Sequence, residues 1–474
     1  MTLWFGTATM VDGDALRALI DRLLDAGDPY AALGAYPHAD ARDRQALEAV
    51  ILATPRLRLT FAAAPYAAAD LLERISVDAN AAIRLRLAKN PVTRPSTLAR
   101  LLADDASDRI RRYVAAHPRA EAATLAVLAG DPSIAVRRAV AGNPNAPCDV
   151  LARLVAAGDG LIDRNAAHGP FADAELLQTL WATGDRNVRA EVAAHPNTAR
   201  SLLAMAEASA DALIRRKLAA NPGLGAAMLN RLFADDDERV RAAAVRNCVM
   251  SGAFLDDPQD EPSPRVRRVV ARRERLSAKV MSRLASDPDA WVRRWIARNP
   301  AVCDDLLRRL AADPVMEVRR GAARNPSCPG PLLSVLACDA AAWVRAGVAL
   351  REDVPDAAID RLLEDDGPDV LGALGRNPRT PASKLEAIAC HPDKDVRRAV
   401  AFNHAAPCEV VARLAEDPYP LNRVVLANHP KLGLRHIERL LDDPEPQVRF
   451  AASARLARFF AAPHTIAGDL HINA

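Results

Sequence analysis

The 474-residue chain carries 63 Lys and Arg against 60 Asp and Glu, a net charge of +3, so no global field marks it as a polyanion binder and any basic patch must be local. Half of its residues are hydrophobic but only 4% are aromatic, which suits thin, closely stacked helices of Ala, Leu and Val better than a core of large rings. No run approaches the roughly 18 apolar residues of a membrane span, and no C-x-x-C occurs among the seven cysteines, which read as single apolar thiols and imply neither a metal site nor a disulfide framework.

In chain order, MTLWFGTATMVDGDALRALI lacks a cationic leader and holds Asp12 and Asp14 inside its candidate apolar stretch. This argues against a secretory signal and for a cytoplasmic protein. Residues 1–55 contain helical patterns at DALRALIDRLLDAG and DRQALEAVILAT and do not share the periodicity of the rest of the chain. They are expected to form an N-terminal helical cap, because the first unit of a stacked array has no upstream neighbour.

From 56 to 456 the chain repeats. With the Asn of an Asn-Pro step as anchor, equivalents fall at residues 90, 117, 143, 169, 195, 221, 247, 273, 299, 325, 351, 377, 403 and 429, one step of 27 residues and the rest of 26. Eleven of these fourteen are Asn or His and ten precede Pro, so the register is firm. Such self-similarity predicts an all-α solenoid of two-helix repeats, in which no unit can bury its apolar face alone.

Within a repeat, a first helix is predicted to begin near Pro147, Pro329, Pro381 or Pro407 and to bury Val150, Leu151 and Leu154, or Leu306, Leu307 and Leu310. A second helix is predicted after Asp-Pro, with Asp131, Asp287, Asp313, Asp417 or Asp443 as N-cap. It buries Val292, Ile296 and Ala297, or Val396, Val400 and Ala401, and is stopped by Asn-Pro. Helices of about ten residues do not persist alone in water, so stacking must stabilise them. Two units are irregular: residues 365–377 contain Gly372 and Gly375 with Leu371 in place of Arg, and the unit from Asn247 keeps its length but replaces the late Leu of its first helix with Pro258 and an acidic loop. Both are candidate hinges. Residues 457–474 read as a C-terminal tail, with Phe459 and Phe460 expected to seal the last unit.

Two sets of arginines stand out. One lies six residues before the anchor (Arg111, Arg137, Arg293, Arg319, Arg397 and others), commonly with an Asp six residues earlier, and is expected to form an Asp–Arg ladder between units. The other lies five and one before the anchor, four apart and on one helix face. Arg268 and Arg272, Arg294 and Arg298, and Arg320 and Arg324 occur in consecutive units, with Arg246, Arg376 and Arg398 flanking and Trp291, Trp295 and Trp343 nearby. They predict a basic strip, on the inner surface if the second helices line it, for an acidic protein surface or a phosphate backbone. The anchors themselves, His117, His195 and His429 included, read as a polar ladder bonded to backbone groups.

The unit DP-x-x-x-VR-x-x-x-A-x-NP-x-x-P-x-x-LL-x-x-LA, written out by residues 131–156 and 391–416, resembles the leucine-rich repeat variant family of bacterial proteins, and more broadly the HEAT-like helical repeats, over roughly residues 57–455. The resemblance implies a right-handed superhelix of α/α or α/3-10 pairs. Some relatives hold an iron–sulfur centre in an N-terminal cysteine cluster; no cysteine here precedes Cys148, so no cofactor is carried over. No P-loop, G-x-S-x-G, H-E-x-x-H or dinucleotide fingerprint occurs. The enzyme analogy to weigh is with HEAT-like DNA glycosylases, which set an acidic residue among aromatics; Glu191 is acidic at an exposed second-helix position, without tryptophans in its helix. The expectation is a non-enzymatic scaffold that grips a protein partner along a concave, locally basic surface, with nucleic-acid backbone binding as the alternative.

Overall fold

The computed structural model describes residues 12–104, 107–251 and 261–461, and these hold helices and turns with no strand. The chain forms two compact units: one is Leu59–Cys328, and the other joins Met1–Arg58 to Pro329–Ala474. Each unit is a stack of helical pairs. In one repeat the first helix, Asp304–Ala311, buries Leu307 and Leu310, and the second, Met316–Ala323, buries Val318, Ala322 and Ala323. Both members of the repeat pair are α-helices; the 3-10 element among the described residues is Tyr36–His38, outside the array.

Second helices of neighbouring repeats pack directly on one another, as Ala290–Arg298 does on Met316–Ala323. Small residues permit this approach: a Cβ on Gly321 would lie 2.9 Å from the Arg294 carbonyl oxygen. Gly375 serves the same end, with Ala399 Cβ 3.0 Å from where its own would be, whereas Gly372 faces open space. The expected hinge at 365–377 is therefore an ordinary helix, Pro368–Arg376, with Leu371 buried. In the other irregular unit, Asn247 is followed by Cys248 and not by Pro, so nothing stops the second helix, which runs from Glu238 to Ser251. The acidic loop at Pro258 lies outside the described residues.

The cap positions differ from expectation by one or two residues. Pro147, Pro329, Pro381 and Pro407 are N-caps in extended conformation, not first helical residues. The Asp of Asp-Pro is likewise not the N-cap: Ser133, Asp289, Val315 and Tyr419 hold that place. The physical reason is that these carboxylates are engaged elsewhere. Asp313 accepts from the backbone N–H two residues on (2.9 Å) and receives a two-pronged bond from Arg293, Nε to Oδ2 at 2.7 Å and Nη2 to Oδ1 at 3.0 Å. The Nη1 of Arg293 turns back to the carbonyls of Asp287 and Pro288 (2.8 and 3.2 Å). Arg293 thus ties its own Asp-Pro backbone to the acid of the next repeat, twenty residues on. Arg111–Asp131, Arg215–Asp235, Arg241–Glu261, Arg267–Asp287, Arg397–Asp417 and Arg423–Asp443 repeat the pairing.

The anchors form a second seam. Asn325 donates its Nδ2 to the carbonyls of Ala297 and Asn299 (2.7 and 2.9 Å), while its Oδ1 accepts from the Ser327 N–H. His117 substitutes for Asn with Nε2 on the Asn90 carbonyl (2.9 Å) and Nδ1 accepting from the Arg119 N–H (3.0 Å). That pattern needs the neutral ring protonated on Nε2.

The segment expected to cap the start of the array meets its far end. Helices Asp12–Asp25 and Pro29–Ala32 pack on the last helix, Pro446–Ala461. Asp28-Pro29 reproduces the repeat's Asp-Pro, and Arg449, the last ladder arginine, is ion-paired with Asp28. Arg22 pairs with Asp442 (3.2 Å), and the Tyr30 and Phe450 rings lie 5.4 Å apart. At Gly34, which stands where a ladder Arg would, an added Cβ would sit 2.6 Å from the Phe450 carbonyl oxygen. The N-terminal segment thus serves as the neighbour following the last repeat. That last helix continues past 456 to Ala461, with Leu456 and Ala457 buried and Phe459 half-buried; the remainder of the expected tail lies outside the described residues, as does the side chain of Phe460.

Candidate binding face

The second helix Ala290–Arg298 begins on Asp289, whose carboxylate caps the N–H groups of Trp291 and Val292, and ends at Asn299, where the following Pro300 forces extended backbone. With Val292, Ile296 and Ala297 fixed in the core, helical periodicity turns Trp291, Arg294, Trp295 and Arg298 outward. Trp291 is 48% exposed. The Arg272 guanidinium lies 4.4 Å from the Trp295 ring centre, and those of Arg294 and Arg298 lie 5.9 and 5.7 Å from it, with Arg294 also 4.8 Å from Trp291. These are cation–π distances.

Arg294 is half-buried, and its pKa is lowered from the ordinary guanidinium value. Burial is the main cause; repulsion from Arg298, Arg324 and Arg272 adds to it, with Glu317 opposing. Four guanidiniums therefore share one locality. Among the described residues no carboxylate lies within ion-pair distance of Arg272, Arg294, Arg298 or Arg324.

Not every arginine of the predicted strip behaves alike. Arg268 is exposed but bound to Asp289 (2.5 Å), which is thereby held below the usual carboxylate range. Arg320 is half-buried, and Arg246 is exposed on the long helix Glu238–Ser251. All seven belong to the unit Leu59–Cys328, whereas Trp343, Arg376 and Arg398 belong to the other. There Arg376 lies 5.6 Å from the Phe402 ring centre, and Arg398 lies 5.4 Å from that of Tyr419 while donating to Asn422 (2.9 Å).

Sequence reasoning placed tryptophans near the strip but missed that Trp295 is the ring around which it gathers. The signal was present: Trp295 stands four before the anchor, between the two arginine positions of its own helix. Glu191, at the same repeat position, is buried and held by Lys217 (2.8 Å) and Arg164 (3.4 Å). The described residues hold no disulfide, no cluster of metal-ligating side chains and no helix long and apolar enough to cross a membrane.

No family model and no curated protein matches the chain. Among solved structures it is similar to a leucine-rich repeat variant with a novel repetitive structural motif, at 24% identity over 52% of this chain and 88% of that one, with a TM-score of 0.31. It is also similar to computationally designed armadillo repeat proteins for modular peptide recognition, at 14% identity over 60% of this chain and 98% of that one, with a TM-score of 0.11. Both are repeat proteins by name, and the first bears the family name that the repeat resembles. The fold described above rests on this chain's own helices.

Proposed function

We propose that the chain is a non-enzymatic interaction scaffold and that Arg272, Arg294, Arg298 and Arg324, arranged about Trp291 and Trp295, receive an acidic segment of a partner protein. The observation that carries this reading is four gathered guanidiniums without a counter-carboxylate. Keeping like charges together costs energy in the free protein, and an incoming carboxylate relieves it while making charge-assisted bonds. Exposed Trp beside Arg is also the composition in which binding energy concentrates at protein interfaces.

Nucleic-acid backbone is the weaker reading, because a long polyanion calls for a long run of unneutralised cations. Here the run is short: Arg268 is occupied by Asp289 and, further along the same unit, Arg138 by Asp159 (2.9 Å). The test is fluorescence anisotropy with a labelled glutamate-rich peptide and a labelled single-stranded oligonucleotide, at low and physiological salt. Saturable peptide binding that is abolished in the Arg272→Glu, Arg298→Glu, Arg324→Glu triple variant is the expected result. Absence of peptide binding, or binding indifferent to the triple variant, overturns the site; tight oligonucleotide binding with a steep salt dependence moves the reading to nucleic acid.

A further inference from the structure

A second opening lies in the unit Leu59–Cys328, and it is independent of the arginine–tryptophan face. Its volume is about 610 Å³, and its floor is the Glu191 carboxylate. Two residues of its lining are glycines at repeat positions where other units carry side chains. Gly142 stands one before its anchor, where Arg298 and Arg324 stand in later repeats, and Gly169 stands at the anchor itself, where Asn or His is usual. Neither glycine is required by the backbone: Gly142 has φ −88° and Gly169 φ −67°, which any residue adopts. What they contribute is space.

Gly169 also interrupts the anchor ladder. In intact rungs the carbonyl of one anchor receives the amide of the next, as Asn299 does from Asn325 at 2.9 Å. With no side chain at 169, the Asn143 carbonyl keeps, among the described residues, only the Ala146 N–H (3.0 Å). Asn143 lies between two residues that line the opening, Gly142 and Pro144.

Two cations and an imidazole gather on Glu191 at the floor, and Arg164 also lies in the field of the Asp185 carboxylate. Lys217 Nζ donates to both oxygens of Glu191 (2.8 and 3.0 Å), Arg164 Nε donates to one at 3.4 Å, and His168 Nδ1 lies 3.9 Å from the other. One carboxylate thus faces two fixed cations and an imidazole. Arg164 and His168 are four apart on the helix Gly160–His168, hence on one face. Their side chains are 52% and 84% exposed, and the Nη groups of Arg164 have no acceptor among the described residues. The lining also has apolar members: Leu161, one turn before Arg164 on the same helix face, with Pro144 and Pro170.

We infer that this cavity is a binding site for a small molecule bearing one compact anion, a carboxylate or a phosphate, on a small apolar body. Arg164, His168 and Lys217 hold the anion, Glu191 keeps Lys217 and Arg164 oriented, and Leu161 with the two prolines receives the apolar part. The volume falls in the roughly 300–1,000 Å³ range of small-molecule pockets, which combine apolar walls with a few convergent polar groups.

Isothermal titration calorimetry of the full chain with phenyl phosphate, benzoate and uncharged benzamide tests the assignment. Saturable one-to-one binding of at least one of the two anions, and none of benzamide, is expected; phenyl phosphate the tighter identifies a phosphate ester as the natural class, and benzoate the tighter a carboxylate. Arg164→Met and His168→Ala, at exposed side chains that leave the fold intact, are each expected to weaken binding about tenfold, the loss of one charge-assisted bond. Gly142→Leu is expected to abolish it by filling the space, with an unchanged unfolding midpoint showing that the fold survives. No saturable heat with either anion, or full binding retained in Gly142→Leu and Arg164→Met, overturns the inference.

Discussion

Arg293 and Arg294 are neighbours on one helix, chemically identical and separated by about 100° of helical rotation. Arg293 falls on the seam between repeats: its side chain is 14% exposed, forked onto Asp313 and bonded to two backbone carbonyls. Arg294 falls on the open face, with no acid within ion-pair distance, tryptophan rings beside it and three other guanidiniums nearby. The seam arrangement recurs along the array with the same twenty-residue spacing, in Arg111–Asp131 and again in Arg423–Asp443. The face arrangement recurs in reduced form at Tyr113, with Lys89 4.2 Å and Arg112 5.5 Å from its ring centre, whereas Ala139, Asn165, Glu191 and Lys217 hold the position of Trp295 in the repeats between. What recurs in most repeats holds the stack together, and the gathering of four guanidiniums about two tryptophans sets the stretch around Ala290–Arg298 apart.

The largest effect should come from breaking the seam. Arg293→Ala leaves Asp313, itself 8% exposed, as an uncompensated buried carboxylate and strands the Asp287 carbonyl. The expected loss is about 3 kcal/mol, read from the urea midpoint. Replacing both partners, Arg293→Met with Asp313→Ala, should recover much of it, because the cost lies in the orphaned charge more than in the lost attraction. If Arg293→Ala unfolds with the parent, the distinction between seam and face disappears.

The anchors and the seam were legible in the sequence because they recur: Asn or His at eleven of fourteen equivalent positions declares its role by position alone. The strip was legible as a set of arginines but not as a geometry. Arg268 and Arg294 occupy one register, yet Asp289 neutralises the first, a partner twenty-one residues away that the period of 26 does not mark. The cap assignments slipped because Asp-Pro is a helix-start signal and the competing bond from Arg lies in the preceding repeat. The docking of Asp28-Pro29 on Arg449 joins residues 421 apart, and only the bare dipeptide hinted at it, in a segment whose other residues depart from the repeat. The Glu191 cavity is lined in part where side chains are missing, at Gly142 and Gly169, and a missing group leaves no motif to find.

A smaller effect, carrying a pH signature, separates the anchor seam from the face. Burial pushes His117, His195 and His429 below the ordinary 6.5, against bonds to backbone carbonyls that work in the opposite direction. Below 6.5 the unfolded chain then binds more protons than the folded one, so stability falls as pH drops from about 6.5 through the lowered folded values. The protonated ring would also lose Nδ1 as acceptor for the Arg119 N–H. Urea midpoints of the parent should therefore decline between neutral and mildly acidic pH. The triple variant His117→Asn, His195→Asn, His429→Asn should decline less, since Asn makes the same rung without titrating. A variant with the parent's slope would assign the decline to other groups.

The smallest effect is expected on the face itself. Arg272→Ala removes the closest cation from the Trp295 ring, a contact of about 0.5–1 kcal/mol at a partly exposed site. It also removes one of the charges that hold the Arg294 pKa down, so the loss is offset by relief of repulsion. The net change in stability should stay within about 0.5 kcal/mol, while the emission of Trp295 shifts as its cationic neighbour leaves. Salt sharpens the point. Screening weakens repulsion among the four guanidiniums, so added salt should stabilise the parent more than Arg272→Ala, whereas the seam pairs, being buried, respond little in either. If Arg272→Ala instead costs as much as Arg293→Ala, the face is a second seam, and its arginines are bound up in the fold with nothing left for a partner.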